Sequence, residues 1–179
     1  MDDAFWVFAY GSLMWKPGFK PAETQPATVY GYHRAMCVIS HRYRGTSEVP
    51  GMVLGLDRGG SCRGLALRIA KTRAAAVLAY LHEREMTGGV YHQRILAARL
   101  DDGRVVRAHA FVACRDHPQY AGRMDPAKAA ALIRKGVGIH GTARDYLANT
   151  VAHLDEMSLS EPGLRRLLDL VDAPAKARR

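Results

Sequence analysis

The chain has 179 residues, 48% of them hydrophobic and 24% charged, which suits one soluble domain with a real core. Arg, Lys, His or Asp interrupts every apolar run before it reaches the length of a bilayer crossing, and Asp2 and Asp3 stand where a secretory leader carries Lys or Arg. Neither a membrane partner nor export is expected, and the cytoplasm is the expected location. The formal charge of +9 attracts anions of any class, from nucleic acid to a small metabolite, without choosing among them.

The run Phe5-Trp6-Val7-Phe8-Ala9-Tyr10 predicts a buried strand, because aromatic and β-branched side chains suit a pleated interior position. Gly11-Ser12 and then Pro17-Gly18 stop it. Gly11 can take backbone angles closed to other residues and leaves the main chain open to a ligand. Two readings remain at this point. One is a strand followed by an ordinary turn; the other is a carboxylate cradle of successive N–H groups and the Ser12 hydroxyl.

An extended segment follows over Ala27 to Ile39, then a basic loop, His41-Arg42-Tyr43-Arg44-Gly45-Thr46, ending near Pro50-Gly51. Two short strands are predicted, Met52 to Leu56 and Arg63 to Ile69, on either side of the turn-rich Asp57-Arg58-Gly59-Gly60-Ser61. Thr72 opens a helix that reaches Glu85 and stops at Gly88-Gly89. Strands over Arg94 to Leu100 and Arg104 to Ala113 flank a hairpin signal, Asp101-Asp102-Gly103. Asp125-Pro126 begins a second helix, ending at Gly136. Thr142-Ala143-Arg144-Asp145 resembles a capping box ahead of a third helix, with Leu147, Val151 and Leu154 at helical spacing. A fourth, near Glu161 to Val171, aligns Leu164, Leu167, Leu168 and Val171. The Lys176 to Arg179 tail is expected to fray. Strands dominate the first two thirds and helices the last, which predicts an α+β fold. No linker or repeat divides the chain, so residues 1–179 are expected to form one domain, with a core over about 5–155 and a C-terminal helix and tail over 156–179.

Cys37, Cys62 and Cys114 are sparse, odd in number and without a Cys-x-x-Cys pair, as expected of buried structural thiols in a reducing compartment. The eight histidines include no His-x-x-x-His pair, so no metal site is expected.

The informative titratable group is Glu85. Within the predicted helix the apolar stripe is Ala74, Val77, Leu78 and Leu81, and four residues past Leu81 on the same face is Glu85. Glu83 points to the opposite side. A carboxylate on the buried face at the negative end of a helix should have a raised pKa and be a stronger base than a solvated one. An ion pair with Arg84 or Arg94 that merely holds the helix end is equally compatible with the sequence.

Together these segments resemble the γ-glutamylcyclotransferases, and more closely their glutathione-directed ChaC branch. The resemblance rests on Tyr10-Gly11-Ser12-Leu13-Met14-Trp15, on Tyr80-Leu81-His82-Glu83-Arg84-Glu85, and on Gly88-Gly89-Val90-Tyr91. Weaker matches follow in order: Arg44-Gly45-Thr46 with Pro50-Gly51, Asp116 to Gly122, and Val137-Gly138 leading into Asp145-Tyr146-Leu147. The resemblance implies a small mixed β-barrel with flanking helices and a carbon–nitrogen lyase that needs no cofactor or metal. It further implies that Tyr10, Gly11, Ser12 and Leu13 bind the α-carboxylate and amino end of a γ-glutamyl substrate, with Tyr91 and Tyr146 as further hydrogen-bonding groups. Glu85 matches the catalytic glutamate. It would take a proton from the α-ammonium so that the amine attacks the γ-carbonyl, releasing 5-oxoproline and, from glutathione, cysteinylglycine. The charge of Arg44 suggests attraction of the glycine-end carboxylate of glutathione. The chain departs from the branch pattern at Thr87, at Val90, through the basic loop and at Ile139-His140. These departures leave other γ-glutamyl amines or amino acids open as donors.

Two other classes are disfavoured. Ser12 lacks the second glycine of a nucleophile elbow and any His at a known spacing. A nucleic-acid-binding domain would rest on the net charge and on Arg42-Tyr43-Arg44, but no helix-turn-helix, zinc knuckle or RNP-like string supports it. Nucleic acid is therefore not expected as a partner.

Overall fold

A computed structural model describes residues 5–174; the Lys176 to Arg179 tail lies outside them. Strands β1 (Phe5–Ala9), β2 (Glu23–Ser40), β3 (Gly51–Ile69), β4 (Tyr91–Leu100) and β5 (Val105–Ala113) close into a barrel in the order β1-β3-β2-β4-β5. The barrel is mixed: β1 runs antiparallel to β3, with Val7 opposite Leu67, and parallel to β5, with Trp6 opposite Ala108. A β2–β4 register of Val29 to Ala98 and a β4–β5 register of Arg99 to Val105 complete the described pairings. Helices α1 (Ala74–Glu85), α2 (Pro126–Lys135), α3 (Ala143–Glu156) and α4 (Pro162–Asp172), with a two-residue ribbon of β6 (Val137–Gly138) and β7 (Gly141–Thr142), complete the α+β fold.

The period-2 alternation of the strands fills the barrel. Trp6 and Phe8 from β1 meet Val29, Leu56, Leu100 and Val112, while Ala27, Ala66, Ala98, Ala108 and Ala110 leave room for the two aromatic rings. Val7 and Ala9, on the other face of β1, are also fully buried. Burial on both faces explains the unbroken apolar run at the start of the sequence.

The turn expected at Asp57 to Ser61 does not form, and β3 passes through it as one strand. Gly59 and Gly60 have φ of 102° and 69°, so the pair makes a bend inside the strand, with the Gly59 carbonyl 2.9 Å from His33 Nδ1 of β2. Local kinks of this kind let long strands curve around a barrel. The Asp101-Asp102-Gly103 hairpin forms as expected, closed by Leu100 N–H to the Arg104 carbonyl at 2.8 Å. Thr72 does not cap α1: a short 3₁₀ turn, Lys71–Arg73, leads into it without a side-chain cap.

The chain gathers into two units, one of residues up to Ala35 with Leu54–Tyr120, the other of Met36–Val53 with Ala121 onward. In the first, Gln93 of β4 joins His82 Nε2 of α1 to His109 Nδ1 of β5, and the His82 ring meets Phe111 edge-on. This chain of contacts docks α1 against the sheet. In the second, the Asp125 carboxylate accepts from the N–H groups of Ala127 and Lys128, and the Thr142 hydroxyl accepts from Asp145 N–H. Both caps satisfy otherwise orphaned helix donors. Arg134 of α2 donates to the Val171 and Leu170 carbonyls that end α4, and Leu147, Val151 and Leu154 are buried as their spacing predicts. Cys37, Cys62 and Cys114 are all buried and form no disulfide.

Candidate active site

β1 delivers its end to a 3₁₀ turn, Ser12–Met14, that buries Leu13 and Met14. Leu13 is thus an anchor, and what it can offer a ligand is its main chain. Inside the turn, Met14 N–H bonds the Gly11 carbonyl at 2.9 Å and Lys16 N–H the Ser12 carbonyl at 2.7 Å. Gly11 has a φ of −136°, so a left-handed backbone is not what calls for glycine there. A Cβ at Gly11 would meet no nearer neighbour than Leu54 Cδ1, at 3.5 Å. Gly11 is buried, and a Cβ there would stand in ordinary van der Waals contact with Leu54.

Tyr10 is fixed from both ends. Its hydroxyl donates to the Phe111 carbonyl at 2.8 Å, and its own carbonyl accepts from Arg34 Nε at 2.5 Å. Arg34 is itself buried and also donates to the Arg63 carbonyl at 2.7 Å, so one guanidinium ties the end of β1 to β3. Tyr91, at the start of β4, donates its hydroxyl to the Leu54 carbonyl at 2.6 Å. Leu54 thereby links Tyr91 to Gly11.

On α1, Val77 and Leu81 are buried and Glu85 continues their row at the next turn, while Glu83 is exposed. The Glu85 side chain is 19% exposed, and its Oε1 lies 3.2 Å from Arg84 Nε. Burial holds its pKa above the ordinary carboxylate value, and the positive charge of Arg84 opposes that rise without cancelling it. Glu85 thus combines an ion pair with Arg84 and a carboxyl whose desolvation prevails.

Arg84 joins the helix to the loop. Nη2 donates to Ser12 Oγ at 2.9 Å, and Nη1 faces the Lys16 carbonyl at 2.8 Å, the Pro17 carbonyl at 3.3 Å and the Tyr80 hydroxyl at 2.9 Å. Tyr80 in turn packs where Gly18, at φ 81°, has no Cβ; one there would stand 2.1 Å from the Tyr80 hydroxyl. Gly18 therefore answers both a backbone and a packing demand. The structure brings together Ser12, Arg84 and Glu85 through direct contacts, and Tyr91 and Gly11 through Leu54.

Arg44 and Tyr146 meet each other in the second unit, the guanidinium carbon lying 5.2 Å from the ring centroid. Arg44 Nη1 donates to the His140 carbonyl at 2.5 Å and approaches the Thr142 carbonyl at 3.4 Å. Burial lowers its pKa from the usual guanidinium value. Gly136 and Gly51 pack against the Arg44 carbonyl so closely that a Cβ on either would stand 2.5 Å or less from it. Arg44 thus has a built structural setting of its own.

Sequence reasoning missed two residues. Arg34 had a signal, a cation amid the apolar Ala35-Met36-Cys37-Val38 stretch, and such residues are buried only with partners. Arg84 was visible only as an ion-pair partner of Glu85; its reach back to the Ser12–Pro17 segment depends on tertiary packing. Among the described residues, no three of His, Cys, Asp and Glu gather to hold a metal ion, and no helix is long and apolar enough to cross a membrane.

The architecture has close counterparts among γ-glutamylcyclotransferase structures. A yeast γ-glutamylcyclotransferase specific to glutathione superposes with a TM-score of 0.85 at 21% identity, over 94% of this chain and 96% of that one, which establishes a shared fold. In sequence, the description of ChaC-like proteins matches residues 5–174. A glutathione-specific γ-glutamylcyclotransferase of Escherichia coli K12 is 36% identical over 163 residues, 91% of this chain and 71% of that protein. The human glutathione-specific γ-glutamylcyclotransferase 1 is 30% identical over 176 residues, 95% of this chain and 78% of that one. The chain belongs to the ChaC-like family.

Proposed function

We propose that this protein is a cytoplasmic γ-glutamylcyclotransferase that converts glutathione to 5-oxoproline and cysteinylglycine. The observation that carries the reading is the joining of the Tyr10–Leu13 turn to a buried, pKa-raised Glu85 within one cluster. The names of its relatives support glutathione as the donor. Nucleophile and electrophile belong to one substrate, so the protein's tasks are to fold that substrate and to move protons.

In this mechanism the Glu85 carboxylate accepts a proton from the α-ammonium. The freed amine attacks the γ-carbonyl carbon, and the new carbon–nitrogen bond closes a five-membered ring. Glu85, now a carboxylic acid, gives its proton to the departing nitrogen as the old amide bond breaks; the carboxylate so regenerated takes the second proton from the ring nitrogen, leaving the neutral lactam, and passes it to the released amine. Desolvation suits the group to both duties, because it narrows the gap between the carboxyl pKa and neutral pH. The Ser12 hydroxyl and the main-chain N–H groups at the start of the turn hold the substrate carboxylate or the developing oxyanion.

Tyr10 supports the turn from within the barrel, and Tyr91 meets Leu54 beside it. Roles for Arg44 and Tyr146 at the substrate are a separate proposal: Arg44→Ala with an unchanged KM for glutathione removes Arg44 from it. The whole chain is taken as one domain, because β2 and β3 each pass from one unit into the other without a linker. Incubation with glutathione and a panel of γ-glutamyl amino acids, with 5-oxoproline as readout, tests the reading. Release from glutathione is expected; release only from another donor would move the substrate, and release from none would overturn the reading.

A further inference from the structure

We propose that Arg84 is the positioning residue of this site: it turns the Ser12 hydroxyl into a dedicated donor toward substrate and locks the Ser12–Pro17 segment beside Glu85. The inference rests on the cyclotransferase reading and assigns a task within it.

A hydroxyl has one proton and two lone pairs, and a guanidinium only donates. Because Arg84 Nη2 donates to Ser12 Oγ at 2.9 Å, that oxygen accepts from the protein and its own proton points elsewhere. The side chain is then left with the polarity needed to bind a carboxylate or an oxyanion. The same guanidinium faces the Lys16 and Pro17 carbonyls and the Tyr80 hydroxyl, which fixes its plane by acceptors on two sides. Its Nε stands 3.2 Å from Glu85 Oε1, and both side chains are about four-fifths buried. One planar cation therefore sets the separation between the hydroxyl that grips the substrate and the carboxylate that moves its protons. Lysine carries the charge but cannot reproduce this fork.

Among the described residues, Arg84 is also the charge that acts on the Glu85 carboxyl, against the rise caused by burial. Removing it should raise the Glu85 pKa further. Glu85 must be ionised to accept the first proton, so the acid limb of the pH–rate profile should move to higher pH.

The test compares Arg84→Lys, Arg84→Gln, Ser12→Ala and the Arg84→Gln/Ser12→Ala pair, each checked for folding by circular dichroism. Arg84→Gln should lower kcat/KM by roughly 10²-fold, the scale of a misplaced reacting geometry, and shift the acid limb upward. Arg84→Lys should also lose kcat/KM but keep the acid limb in place. Adding Ser12→Ala to Arg84→Gln should cost far less than Ser12→Ala alone, since contacting residues acting as a unit are not additive. Hydrogen exchange over residues 12–19 should quicken in both Arg84 variants, a readout independent of turnover. Additive losses with an unmoved acid limb, or unchanged exchange over 12–19, would overturn the proposal while leaving the cyclotransferase reading intact. An inactive wild type would overturn that reading, and the exchange measurement would still decide whether Arg84 anchors the loop.

Discussion

At the scale of single residues, Glu83 and Glu85 differ by two positions and by everything that matters chemically. Helical geometry sends Glu83 to solvent and leaves Glu85 at the end of the Val77–Leu81 row. Glu85→Gln should keep the fold and lower kcat by on the order of 10²-fold or more, whereas Glu83→Gln should leave turnover nearly unchanged; comparable losses in the two would sink the assignment. Tyr10 invites the opposite experiment. Its hydroxyl is bonded to the Phe111 carbonyl, so Tyr10→Phe should lower unfolding free energy by about 1 kcal/mol, measurable by urea denaturation. Glu85 was legible in the sequence because period 3.6 alone identifies its face. The use of the Tyr10 ring was not, since an aromatic residue beside Gly-Ser looks alike whether it supports a turn or touches a ligand.

At the scale of elements, the site depends on one loop lying correctly on one helix. Gly18 is the point where that contact is tightest. Gly18→Ala must adopt a left-handed backbone, at a cost of about 1–2 kcal/mol, and must also displace the Tyr80 hydroxyl. Its expected signature is a fall in kcat/KM larger than the drop in thermal stability suggests, with faster hydrogen exchange in the loop; unaltered kinetics would show that the Tyr80 contact is dispensable. Most elements could be read from periodicity and caps, as with Asp125-Pro126 and Thr142. The exception at β3 has a physical cause: Gly59-Gly60 has the composition of a turn, yet neighbouring strands hold it as a bend within one long strand. The β6–β7 ribbon escaped notice because two-residue strands carry no periodic signal.

At the scale of the whole molecule, acid should weaken the fold in two stages. Burial, followed by the nearby His82 and Arg107, holds His109 below the ordinary histidine pKa. A lowered folded pKa means that the unfolded chain takes the proton first, so stability from this group declines as pH falls below about 6.5. Asp57 titrates later. Burial acts to raise its pKa, but the Tyr120 hydroxyl at 2.7 Å, Arg115 at 2.9 Å and the Arg58 N–H at 2.8 Å outweigh it. Its contribution is present above about pH 3.9 and lost below it. Urea midpoints measured across pH should show both declines, and Asp57→Asn should make the lower one shallower while costing about 2 kcal/mol at neutral pH; a lower decline of unchanged size in Asp57→Asn would contradict this account.

The parallel seam between β1 and β5 has a consequence in time. Strand β1 leaves the ribosome ahead of β5 and finds one of its two neighbours only after β5 has been made, and the Tyr10 hydroxyl and Phe111 carbonyl that meet there lie 101 positions apart. Closing so long a loop costs entropy before any contact repays it, which slows folding. The Ser12–Met14 turn, proposed to grip the substrate, hangs from the end of β1. The proposed site is therefore assembled at barrel closure, and activity should return on refolding together with the last phase of tryptophan fluorescence; activity returning before that phase would contradict this order.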